Sequence, residues 1–246
     1  MKNNVFFMKV ALPVLGLGGI GMVLRRLMYS LTVDEKNLLP AKHPLQTVLW
    51  VVTLAAVVWI LVGIRNQKRS GQYRKNFRAS IPGAVSSAAL AVGILVTVLE
   101  GGLARTGMER MRDLLGLVAS AALLGTAYCR WKGSRPFFPA HGVVCVYFAI
   151  FMVSSYQGWS SNPQIQDYVF SLLASIGLML FSYHQACFDV DAGNCRMQLG
   201  LGLLTAFCCF VALSGTQSPI LYLTGGIWCA CNLCNPQKRG INHETA

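Results

Sequence analysis

Apolar blocks of roughly 17 to 22 residues, almost free of charge, recur along the whole of this 246-residue chain. That length matches the ~20 residues a helix needs to cross about 30 Å of hydrocarbon. A helix lying on a soluble core would show a polar face at every turn, and these blocks show none. Because lipid offers backbone groups no partners, only helices and closed barrels cross it. The blocks therefore read as spanning helices, about eight of them, at 5–24, 45–64, 81–100, 114–131, 141–157, 167–187, 198–213 and 220–234. The expected fold is all-α: a polytopic transmembrane helical bundle forming a single domain over 1–246.

Composition agrees with that reading. Charged residues make up 12% of the chain and apolar residues 54%, against about 25% charged in an average globular protein. The formal charge of +12 would suit nucleic acid if it formed a patch. The cations instead stand at the ends of the apolar blocks, so nucleic acid is set aside as a partner. The densest run lies between the second and third blocks and holds Arg65, Lys68, Arg69, Arg74, Lys75 and Arg78. Such a run is hard to move across a bilayer and stays in the cytoplasm, where these six side chains can meet anionic headgroups. Cations on the segments sharing its side outnumber the others roughly two to one, which places both termini in the cytoplasm.

The first block opens with Lys2 and Lys9 and closes at Arg25 and Arg26. It is long for a signal peptide and no small-residue cleavage site follows, so it reads as an uncleaved span. Gly16, Gly18 and Gly21 match G-x-G-x-x-G, but no strand precedes them, and close helix packing is the better account. Gly83, Ser87 and Ala91 form a small-residue face on the third block, and Asp167, Ser171, Ser175 and Ser182 form one on the sixth.

Ionisable groups at membrane depth are where function is usually found. None of the nine acids falls near the middle of a block, which argues against a carrier built on a central carboxylate. H-E-x-x-H, G-x-S-x-G and the P-loop lysine motif are missing, so an enzyme is the least supported class. No cofactor and no metal are expected. Cys229, Cys231 and Cys234 offer three thiols where structural zinc takes four ligands. His184 and Cys187, followed by Asp189, Asp191 and Cys195, read as an interfacial polar turn. The nine cysteines, an odd number with none in an outer loop, read mostly as small buried residues. His43 beside Asp34 and Glu35 could do acid–base work but reads as a solvated loop.

On the outer face the segments 29–44, 101–113 and 157–168 outline a polar cup. Its candidate ligand-binding residues are Asp34, Glu35, Tyr156, Gln157, Trp159, Gln164, Gln166 and Asp167, since amides beside aromatics suit a neutral polar ligand. Arg25, Arg26, Arg105, Arg110 and Arg112 share the outer side with Asp34, Glu35 and Glu100, and some of these are expected to pair across spans. The function expected is binding or transport of a small neutral solute or lipid through this cup. The alternative is a non-catalytic partner or sensor subunit that uses loop 65–78 to meet anionic lipid or another membrane protein.

Three stretches carry a resemblance: Trp159-Ser-Ser-Asn-Pro163-Gln164-Ile-Gln166-Asp167-Tyr168, Tyr183-His-Gln-Ala-Cys-Phe-Asp189-Val-Asp-Ala-Gly193-Asn194, and Asp34-Glu35-Lys36-Asn37-Leu38-Leu39-Pro40 followed by His43-Pro44. In these the chain resembles a set of uncharacterised multispan membrane proteins of clostridia-type anaerobic bacteria. The resemblance implies a multi-pass protein of a bacterial plasma membrane and carries over no activity or site residue.

Overall fold

The structure, a computed structural model, describes residues 6–32, 44–67, 70–77, 79–100, 107–136, 140–159, 168–215 and 218–234. Its principal helices are α1 (Leu12–Thr32, entered through a π-helical turn at Phe7–Ala11), α2 (Pro44–Ile64), α3 (Ile81–Glu100) and α4 (Met108–Lys132). They continue with α5 (Ala140–Trp159), α6 (Val169–Asp189), α7 (Cys195–Ala212) and α8 (Pro219–Cys231). A single helical turn, Tyr73–Asn76, interrupts the loop between α2 and α3. No strand occurs among the described residues, and the protein is an all-α polytopic helical bundle. Helices α1 to α7 are long and apolar enough to cross a membrane. α8 has 13 residues, only ~20 Å of helix, which falls short of the hydrocarbon thickness.

Consecutive helices from α3 to α7 pack as neighbours, and α8 closes the group by lying against α3, α7 and α6. The α1–α2 pair docks on α7 from outside. α7 is accordingly the most enclosed span, with 67% of its apolar window buried, whereas α2 has 22%. Without a hydrophobic force between helices in lipid, small residues that let backbones approach do much of the joining. Gly83, Ser87 and Ala91 are all buried, and Gly93 on α3 admits Thr224 of α8 where a side chain would collide. Ser171, Ser175 and Ser182 are likewise buried along α6.

Several boundaries differ from the sequence-based ones, for identifiable reasons. α1 runs through Arg25 and Arg26 to Thr32, because Arg25 turns inward: its Nη1 donates to Val211 O at 3.4 Å and its guanidinium stacks over Tyr29 and Phe170. α4 starts at Met108, so Glu109, Arg110, Arg112 and Asp113 belong to a helix and not to a polar loop. It stops where Gly133 takes a left-handed φ of 70°, with Arg130 and Lys132 in the last turn beside the negative end of the dipole. α7 starts early because Asn194 caps it, accepting from the backbone N–H groups of Arg196 and Met197 at 3.2 and 3.5 Å.

The cysteine reading needs one correction. Cys195 and Cys234 form a disulfide, with Cα atoms 5.9 Å apart, tying the start of α7 to the chain just beyond α8. Cys208, Cys209 and Cys229 are buried thiols. The bridge lies at the same end as the cation-rich loop, since Cys195 N donates to Ser70 O at 3.2 Å. We call this the basic end.

Candidate functional site

The opposite end of the bundle opens into a cavity of about 350 Å³, within the usual range for small-molecule sites. The last turn of α3 supplies Thr97 and Glu100, and the first turns of α4 supply Glu109 and Arg112. The end of α5 contributes Ser154, Ser155 and Gly158, with Phe151 below them, and Tyr222 of α8 forms part of the floor.

Charge placement is uneven. Arg112 is buried, and its Nε and Nη2 both donate to Asp113 Oδ1, at 3.0 and 2.9 Å. Its Nη1 donates to Ser154 Oγ at 3.5 Å, and the guanidinium lies 6.0 Å from the Phe151 ring centre. Arg112 is thus spoken for. Glu100 and Glu109 are exposed and take part in no ion pair among the described residues. Glu109 at the N-terminal turn of α4 is favoured by the helix dipole, but Glu100 stands at the C-terminus of α3, where a carboxylate is disfavoured.

One further feature lines this cavity, and another adjoins its lining residue Phe151, whose ring centre is 6.0 Å from that of Tyr147. Ser218 lines it with φ 46° and ψ 51°, a left-handed conformation that costs a non-glycine residue about 1–2 kcal/mol. Tyr147 hydroxyl is buried with no hydrogen-bond partner among the described residues, and its electrostatic neighbours are Arg112, Asp113 and Tyr222. The Tyr222 hydroxyl, by contrast, donates to Ser171 O at 3.3 Å and lies 3.4 Å from Ser175 Oγ.

The cavity forms where the outward cup was expected, but other residues line it. Tyr156 and Gln157 sit on the exposed side of α5 and do not line it; the serines two positions before them do. Asp34, Glu35, Gln164, Gln166 and Asp167 lie outside the described residues, as does the side chain of Trp159. Arg112 pairs with its neighbour Asp113 and not with Glu100. A weak signal for Ser154 and Gly158 did exist, since they are four apart at the end of an apolar block.

A second polar centre lies at the basic end. His141 Nδ1 is 2.6 Å from Asp189 Oδ2, and each residue is 2% exposed. Arg130, also buried, donates from Nη2 to Gln185 Oε1 at 3.1 Å and lies 4.0 Å from the Phe77 ring centre. Gln185 Nε2 donates to Asn232 O at 3.0 Å, and Asn232 Nδ2 donates to Ser86 Oγ at 3.0 Å. This network joins α3, α4, α5, α6 and the end of α8. The His–Asp pair does not line the 350 Å³ cavity, and it fastens α5 to α6. The residues considered for a metal are drawn to separate partners: Asp189 to His141, Asp191 to Tyr73 N and Arg135, and Cys195 to Cys234. Among the described residues no group of three or more potential ligands converges.

Compared with known proteins, the chain matches no family model, no curated protein and no solved structure. What the fold and its seven long apolar helices define is a class, the multi-pass integral membrane protein.

Proposed function

We propose that this membrane protein binds a small amine-bearing solute, cationic or zwitterionic, in the cavity opposite the basic loop. One observation carries the reading: two carboxylates without an ion-pair partner among the described residues, Glu100 and Glu109, stand over a floor whose only guanidinium among them, Arg112, is already neutralised by Asp113. The sequence favoured a neutral solute because its amides were prominent; the charges on the rim favour an ammonium group instead. The ring of Phe151 lies below the rim, with the Arg112 guanidinium 6.0 Å from its centre, and gives the cavity an apolar base. Its lining residues come from the terminal turns of α3, α4, α5 and α8, which supports binding at one face more than passage through the bundle.

The test is a thermal-shift and calorimetric screen of the purified protein in lipid nanodiscs, using small amines, amino acids, neutral amides and carboxylic acids. Amines or zwitterions should bind saturably, and Glu100→Gln with Glu109→Gln should weaken them at least about tenfold, as expected on losing charge-assisted contacts worth roughly 1.5–3 kcal/mol. Binding of neutral amides alone, unaffected by these changes, would sink the reading.

The same reading places the basic end in the cytoplasm of a bacterial cell. Reducing agents there keep most thiols unpaired, so Cys195 and Cys234 are expected as free thiols in growing cells and as a disulfide after extraction in air. Alkylation in whole cells with a permeant maleimide, followed by mass spectrometry, reads this directly. A bridge already closed in the cell would place that end on the oxidising side.

A further inference from the structure

The loop at the basic end is docked, and what it encloses is a second cavity. Tyr73, Asn76 and Phe77 are buried, while Arg65, Arg74 and Lys75 face outward. Asn76 Nδ2 donates to Ser70 O and Gln72 O at 3.2 and 2.9 Å, folding the loop on itself. Tyr73 N donates to Asp191 Oδ1 at 2.7 Å, and Phe77 meets Phe188 edge-on at 5.1 Å. Asp191 reaches this position from a left-handed backbone, φ 59°, strain of a kind that tends to gather at functional sites. Gly71 passes so close to Gly193 O that a Cβ would stand 2.5 Å from it.

Held this way, the loop and the turn after α4 surround a cavity of about 870 Å³. Arg74 and Arg135 are its cations, Gln72 and Ser134 its neutral polar groups, and Tyr73 and Phe77 its aromatic surface. Burial raises the Tyr73 phenol pKa, with Arg130 opposing, so at neutral pH the hydroxyl keeps its proton and donates to Ser134 O at 3.5 Å. Asp191 also lines the cavity, but its carboxylate is occupied by Tyr73 N–H and by Arg135 at 3.3 Å. Arg74 has no ion-pair partner among the described residues.

We propose that this cavity holds the phosphate headgroup of an anionic phospholipid. Guanidinium groups grip phosphate through planar, directed donors, and the aromatic floor takes the less polar glycerol end. A free phosphate would not use that floor. Two lining residues, Ala79 and Gly133, adjoin in sequence the ends of spans that carry Ile81 and Trp131, which are 70% and 64% exposed. Acyl chains can continue along that apolar surface into the bilayer. The site lies at the end of the bundle away from the solute cavity and does not depend on it.

Native mass spectrometry of the detergent-solubilised protein tests the proposal, titrating phosphatidylglycerol, phosphatidylcholine of the same chains, and inorganic phosphate. One phosphatidylglycerol should be retained in clear preference to phosphatidylcholine. Arg74→Gln with Arg135→Gln should cut that preference by about tenfold or more, in line with two cations near a headgroup, while Arg26→Gln at the far end should leave it unchanged. The Arg135–Asp191 pair is about half exposed and such pairs stabilise little; should the double variant misfold, Arg74→Gln alone must still lower the preference. Equal retention of the two lipids, or a preference untouched by Arg74→Gln, overturns the proposal. Inorganic phosphate displacing the retained lipid at low concentration would make this a free-phosphate site and overturn the lipid occupant.

Discussion

Asp189→Ala is expected to destabilise the folded bundle by about 3–5 kcal/mol, the range found when one member of a buried charged set is removed. The alanine would leave His141 Nδ1 without its acceptor at 2.6 Å. It would also strip Arg130, buried and 4% exposed, of the carboxylate that acts on it electrostatically. Asp189→Asn keeps an acceptor for the imidazole and removes only the charge, so it should fall between wild type and alanine. Thermal unfolding in a mild detergent, followed by tryptophan fluorescence, measures both. An unchanged midpoint for the alanine variant would mean that His141 and Arg130 find other partners and that the network is dispensable. Coupling between Asp189→Asn and Arg130→Met in a double-mutant cycle would measure the charge contribution apart from the hydrogen bond.

Trp228→Ala should be comparably severe, for a different reason. Trp228 is fully buried on α8, stacks edge-on against Phe181 at 4.9 Å, and donates from Nε1 to Ser87 Oγ at 3.2 Å. Truncating it opens a cavity between α3, α6 and α8, at a cost of about 3–5 kcal/mol for a buried tryptophan. α8 is too short to span the hydrocarbon by itself and is held by these neighbours. Hydrogen exchange should therefore rise selectively in α8 and in the following residues up to Cys234, with α1 and α2 little changed. Ser87→Ala removes one hydrogen bond and should cost only about 1 kcal/mol. If the two substitutions cost the same, packing is not what holds α8.

The location of the cavity at the ends of α3, α4 and α5 was partly legible in the sequence, and the residues that line it were not. The segments around 101–113 and 157–168 were expected to meet, and the ends of α3, α4 and α5 do meet there. Choosing Tyr156 and Gln157 followed from their side-chain chemistry alone. Which side of α5 faces the cavity depends on the rotation of that helix, and packing against α4 and α6 sets it. Arg25 shows the same limit. Its charge suggested the end of a span, whereas a carbonyl on α7 and two aromatic rings allow the helix to continue past it.

By itself the sequence determined the helical class, the approximate limits of the seven long helices and where the cations gather; it counted an eighth span where α8 has only 13 residues. Those properties follow from hydropathy summed over some twenty neighbouring residues, a local quantity that the bilayer reads segment by segment. Only the tertiary structure decided that Asp189 meets His141 across 48 positions and that Asn232 meets Ser86 across 146. It alone paired Cys195 with Cys234, and it alone folded the basic loop over a cavity. These are pairings of groups that cannot stay unpaired out of water, and which partner each one finds depends on which helices stand side by side.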